Sequence, residues 1–201
     1  MSGFLLATTV GVLIAGSASA QVTVFEGARM IVGDGRVVDN ATLVVGGSRI
    51  VQAGAGVQAP VGATRVNLAG KTVMPMLIDT HVHLSPTREL LMRDLQRRAY
   101  FGVSAALSLG MDNYELLDMR GQTVPGAARF FSAGRGFTGP EPGRTMAPHW
   151  VTTPAEARAA VDEEAAKKID IVKFWVDDRM GTVKKLTPDI YTAIIDEAHK
   201  K

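Results

Sequence analysis

The chain has 201 residues, enough for one domain or a small domain plus part of another. At 46% hydrophobic and 21% charged it is a foldable globular chain, not a disordered one. The formal net charge is +2 with basic residues scattered, which argues against a nucleic-acid surface, and the absence of cysteine excludes disulfides and thiolate metal sites.

Residues 1–20 read as an export signal. Phe4 to Ala15 is an apolar stretch too short to span a bilayer, and Ala18-Ser19-Ala20 supplies the small residues of a cleavage site, leaving Gln21 as the mature N-terminus. No Lys or Arg precedes the apolar stretch, so a first core strand or helix is the other reading. Export predicts a periplasmic or secreted protein with no stable membrane anchor.

Residues 21–74 predict a module of short antiparallel strands. These fall at Val22–Phe25, Ala28–Val32, Ala41–Val45, Arg49–Val51 and Thr64–Leu68, with Gly33-Asp34-Gly35 as a turn and Gly46-Gly47 as a hairpin. No cluster of titratable residues marks it as a site.

From residue 75 the rhythm changes to strand–helix alternation, which implies parallel strands with helices outside. The apolar run to Thr80 predicts a buried strand ending in His81-Val82-His83. Residues at i and i+2 of a strand share a face, about 6–7 Å apart. Two such imidazoles can hold one divalent ion, or they are simply exposed or hydrogen-bonded. Ser85-Pro86 predicts a helix start, with the helix running to about Tyr100. Ser104–Leu109 predicts the second strand, and Asp112-x-x-Glu115 a capping box opening a short helix. Arg129–Ser132 predicts the third strand, followed by a glycine-rich loop from Gly134 to Gly143. Thr153-Pro154-x-Glu156 opens the third helix, Ile169–Val176 is the fourth strand, and Thr187-Pro188 opens the fourth helix.

Lys173 lies inside that fourth apolar run, where an ammonium is expensive. It is either paired with Asp170, Asp177 or Asp178, or neutral and chemically changed, for instance to a carbamate. His149, in the loop region after strand three, is a plain loop histidine or a substrate contact, and Arg135 could pair with a substrate carboxylate. His199, at the end of the last helix, reads as a surface residue near the helix dipole.

In joint order and position these features resemble the amidohydrolase superfamily, nearest to its imidazolonepropionase-like and Xaa-Pro-dipeptidase-like branch. The resemblance runs over about residues 22–201, through Ala69-Gly70-Lys71-Thr72-Val73-Met74-Pro75, Leu77 to His83 and Ile171 to Trp175. It departs at Met76, where a small residue is more usual. It implies a β-sandwich segment followed by the first four βα units of a (β/α)8 barrel, a fold of ~250 residues when complete. It implies metal-assisted hydrolysis of amide, cyclic amide or peptide bonds in a small-molecule substrate, with one or two divalent ions, zinc first among them. The metal ligands implied are His81, His83 and a carbamylated Lys173. The strands that would bring two further histidines and the general-base aspartate have no counterpart in these 201 residues. The chain is therefore expected to be inactive alone and prone to self-associate. A secreted, non-catalytic binding module is the alternative.

Overall fold

The computed structural model describes residues 21–143 and 147–201. The expected export signal, residues 1–20, lies outside them. No described helix is long and apolar enough to cross a membrane. The chain divides into two units, Met1–Pro75 and Met76–Lys201.

The described part of the first unit is one five-stranded sheet. β1 (Val22–Ile31), β2 (Val37–Gly46) and β3 (Arg49–Ala55) are antiparallel neighbours, while β4 (Thr64–Asn67) and β5 (Thr72–Val73) run parallel to β1. The two strands predicted over 22–25 and 28–32 are a single strand. Gly27, at φ 82°, absorbs a register shift between Glu26 and Ala28, so pairing with β2 resumes beyond it. The hairpin turn is Gly47-Ser48, one residue later than predicted, because Gly46 still pairs with Arg49. Met30, Ala41 and Leu43 form a small core with Phe25, Val38 and Val73.

In the second unit β6 (Leu77–Val82), β7 (Val103–Ser108) and β8 (Arg129–Ser132) make a parallel sheet in that order. α1 (Arg88–Tyr100) connects β6 to β7, and a 3-10 helix (Tyr114–Met119) precedes β8. Leu91 and Leu95 of α1, with Leu116 and Met119, close over Ala106 and Phe130. The helix begins later than Ser85-Pro86 predicts, because the Thr87 hydroxyl takes the cap, accepting from Leu90 N at 3.4 Å.

Beyond β8 come the short parallel pair β9 (Phe137–Thr138) and β10 (His149–Trp150), then α2 (Pro154–Ala166) and α3 (Pro188–Ala198). Thr153 caps α2 as predicted, accepting from Glu156 N at 3.2 Å. Glu156 reaches back one residue further than a capping box requires, to Thr152 N at 2.7 Å. Phe137, Val161, Ile190 and Ile194 form the second core of this unit, with Val172 and Phe174 against it.

The fourth strand predicted over Ile169–Val176 is an extended segment with a single parallel bridge, Phe137 to Phe174. Asp170 N donates to Ser132 O, Phe137 N to Lys173 O and Trp175 N to Phe137 O, each at 2.9 Å. The ladder is broken on the partner's side. Gly134 and Gly136 have φ of 61° and 60°, so the chain between Ser132 and Phe137 offers no extended edge.

β6 ends its sheet, and Met76, Leu77 and Ile78 are 45%, 50% and 49% exposed. An unpaired apolar strand edge templates association. Size-exclusion chromatography is expected to show self-associated chain that shifts toward monomer in Ile78→Lys. A monodisperse wild-type monomer would contradict this.

Candidate functional site

His81 lies near the end of β6, and His83 one residue beyond it. The rings stand edge to face with centroids 5.7 Å apart, and both side chains are exposed. The His83 ring stacks on Trp175, with centroids 6.2 Å apart and planes at 26°. Lys173 Nζ stands 5.2 Å from the centre of a Trp175 ring. Trp175 therefore joins the candidate ligands of two segments, a role its place in an apolar run does not announce.

Two glycines make the room. A Cβ on Gly110 would fall 2.7 Å from Trp175 Cη2 and 3.1 Å from Lys173 Cγ, and one on Gly136 would fall 2.8 Å from Trp175 Cζ3. Both residues also have positive φ, 86° and 60°.

The carboxylates that could pair Lys173 are engaged with other cations. Asp170 lies 3.4 Å from Arg120, Asp177 2.7 Å from Arg179, and Asp178 3.4 Å from Lys185. Among the described residues no group of three or more His, Cys, Asp or Glu side chains is placed to hold a metal. Two imidazoles are donors that a divalent ion such as zinc accepts, and here they fit as half of a four-donor shell. An ammonium has no lone pair, so Lys173 fits as a ligand only in a form bearing oxygen donors.

Arg135 shares with His83 the lining of a cavity of about 600 Å³, together with Met111, Asn113 and Ala147. Its Nε donates to Ala147 O at 2.7 Å, and its guanidinium lies over Tyr114 at 5.7 Å. His149 is placed elsewhere, in a buried cluster. Its ring stacks on Phe137, and Nε2 donates to Glu164 Oε1 at 2.8 Å. The Tyr114 hydroxyl is shared between Glu163 and Glu164, at 2.8 and 2.9 Å. Burial, then the two carboxylates that accept this proton, hold the Tyr114 phenol well above its usual pKa. Glu164 Oε1 also accepts Arg135 N at 3.1 Å, and its Oε2 is buried with no hydrogen-bond partner among the described residues. Glu164 is visible in the sequence in one way. It continues the buried stripe of α2 set by Ala157, Ala160 and Val161, where an apolar residue belongs.

Asp112 does not cap the 3-10 helix, as its spacing from Glu115 predicts. Asn113 holds the cap position without a side-chain bond, and Asp112 is buried between Ser108 and Ser132. Burial raises its carboxyl pKa, only partly opposed by the two serine hydrogen bonds. A carboxyl with a raised folded-state pKa binds its proton more tightly when folded. Its contribution to stability is therefore fullest below the unfolded value and is lost as pH rises through the folded one. The Tm of wild type minus that of Asp112→Asn is expected to fall as pH rises above the ordinary carboxylate range and through the raised folded-state value. A difference independent of pH would count against it.

No protein-family model matches the sequence, and no curated protein matches it. Solved structures do. A putative prolidase from Bifidobacterium longum is 26% identical at a TM-score of 0.75, over 90% of this chain and 48% of its own. A prolidase complexed with N-methylphosphonate-L-proline is 20% identical at 0.74, over 90% and 54%. The A. niger ochratoxinase is 18% identical at 0.70, over 90% and 53%. The chain spans about half the length of these proteins, and its mixed α/β fold is that of Xaa-Pro-dipeptidase-like and amidohydrolase structures.

Proposed function

We propose that this chain provides the metal-binding end, and one wall of the substrate pocket, of a metal-dependent hydrolase acting on carbon–nitrogen bonds. The bond is an amide, cyclic amide or peptide bond in a small molecule. The observation that carries this reading is the gathering of His83 and Lys173 around Trp175, with His81 beside His83. The likeness to prolidase and amidohydrolase structures supports it. In this reading the first unit corresponds to a β-sandwich segment, and the second to the first four βα units of a (β/α)8 barrel. The protein works in the periplasm or outside the cell.

His81 and His83 would hold a divalent ion, zinc first, and Lys173, as a carbamate, would add oxygen donors to it and to a second ion where one binds. When bound, the metal supplies Lewis-acid polarisation of the scissile carbonyl. The chain's own residues do the rest. Trp175 fixes the His83 ring and screens Lys173 from water. Arg135, held by Ala147 O at the edge of the His83 cavity, pairs with a substrate carboxylate. His149 supports substrate contact from behind, through Glu164, whose Oε1 receives both His149 Nε2 and the Arg135 amide.

Zn²⁺ uptake measured by competition with a chromophoric chelator tests the reading. The wild-type chain is expected to bind Zn²⁺, and His81→Ala and His83→Ala each to weaken binding by about 10-fold or more. Undiminished uptake after both substitutions together would reject it.

A further inference from the structure

Asp112 is 1% exposed, and a two-bond relay leads from it toward His83 and toward Arg135. Its Oδ1 accepts the Ser108 hydroxyl at 2.7 Å, and its Oδ2 accepts the Ser132 hydroxyl at 2.5 Å. Each serine oxygen in turn accepts a backbone amide, Leu84 N at 3.3 Å on Ser108 and Gly134 N at 2.9 Å on Ser132. Leu84 follows His83, and Gly134 precedes Arg135. The Asp112 amide closes the circuit onto Gly134 O at 3.1 Å.

In its ionised form Asp112 only accepts, and both hydroxyl protons then point at it. That turns a lone pair of each serine toward its amide. At His83 the two flanking peptides are held differently: Leu109 N donates to Val82 O at 2.8 Å in the peptide before it, and the amide of the peptide after it, Leu84 N, donates to Ser108. A buried carboxylate whose side-chain partners are two hydroxyls is expensive, and an apolar group of the same shape would cost less. What the apolar group could not do is aim two amides at once.

We infer that Asp112 is a positioning residue that sets the peptide after His83 through Ser108 and the two peptides leading into Arg135, the first through Ser132 and the second through its own amide, coupling the metal-binding limb to the substrate limb. The inference rests on the metal reading above. Asp112→Asn keeps the shape but presents an amide that donates. One serine hydroxyl must then turn its proton away from residue 112 into a buried site and accept from the amide as well as from Leu84 N or Gly134 N, so that backbone bond is aimed less firmly.

The test compares wild type, Ser108→Ala, Ser132→Ala and Asp112→Asn in the whole chain, by Zn²⁺ affinity, backbone amide exchange and Tm. Ser108→Ala and Asp112→Asn are expected to weaken Zn²⁺ about 10-fold, while Ser132→Ala stays within about 2-fold at a comparable loss of Tm. Ser132→Ala should instead speed amide exchange at Gly134 and Arg135, and Ser108→Ala should do so at His83 and Leu84. A merely structural role predicts Zn²⁺ losses that follow Tm alike in all variants, and that result, or no change in affinity, overturns the inference. Should wild type take up no Zn²⁺, the metal reading falls by itself. Amide exchange then decides the inference: end-specific acceleration by the two serine variants sustains it, and uniform or absent acceleration overturns it. The serine variants keep the test informative even where Asp112→Asn fails to fold.

Discussion

Gly110→Ala is expected to unseat Trp175 and with it the gathering of His83 and Lys173. The substitution incurs two separate costs. Alanine at φ 86° is strained by about 1 kcal/mol or more. Its methyl would also fall 2.7 Å from Trp175 Cη2 and 3.1 Å from Lys173 Cγ, an overlap that costs about 1–3 kcal/mol wherever the ring cannot retreat. It cannot retreat toward Gly136, whose Cα occupies the adjacent space 3.2 Å from the same methyl. The combined loss is about 2–4 kcal/mol. Denaturant unfolding measures it, and Trp175 fluorescence, isolated in a Trp150→Phe background, reports the ring's new environment. An unfolding free energy within about 0.5 kcal/mol of the parent, with unchanged emission, would show that the glycine is not needed for this packing.

The parts of this structure that are legible in the sequence are those set by neighbours along the chain. Arg129–Ser132 is a strand as its pattern says, and Thr153-Pro154 starts a helix, because propensity and capping act over a few residues. His81-x-His83 is legible for the same reason, since strand geometry alone places the two rings near each other. The illegible parts are decided by partners far away. Asp112 looks like a cap because Glu115 follows at the right spacing, but Ser132, 20 residues on, draws its carboxylate inward. Trp175 looks like one more apolar residue of a strand. Only the meeting of Gly110 and Gly136 beside it, and of His83 across from it, makes it a joint. The 169–176 segment has a strand's composition, yet its pairing fails because the glycines lie in its partner. β1 shows the reverse: Gly27 looks like a break between two strands, and the ladder to β2 continues past it.

Lys173→Ala is expected to produce the largest loss of bound metal of any single substitution outside the histidines. Lys173 is half-buried beside an aromatic face, and none of the ion pairs formed by Asp170, Asp177 and Asp178 includes it. As an ammonium it opposes a divalent ion at His81 and His83. The neutral amine can add carbon dioxide. The ammonium first gives up one proton, the Nζ–C bond then forms as a C=O π bond of carbon dioxide opens, and a second nitrogen proton leaves to solvent, so the charge at this position passes from +1 to −1 with two oxygen donors. The donor set then grows from two imidazole nitrogens toward the four a zinc ion takes. Bicarbonate should therefore raise Zn²⁺ uptake by wild type and leave Lys173→Ala and Lys173→Arg unchanged. Arginine keeps the positive charge and the bulk, so it separates carbamate chemistry from simple charge or packing. Acetate or formate should partly restore uptake in Lys173→Ala, by placing a carboxylate in the vacated space, but not in Lys173→Arg, where the space is filled. Carbon-13 NMR after addition of labelled bicarbonate should show a carbamate resonance in wild type alone. Equal Zn²⁺ stoichiometry in wild type and Lys173→Ala, with no carbamate resonance, would leave Lys173 as a cation packed on Trp175 and nothing more.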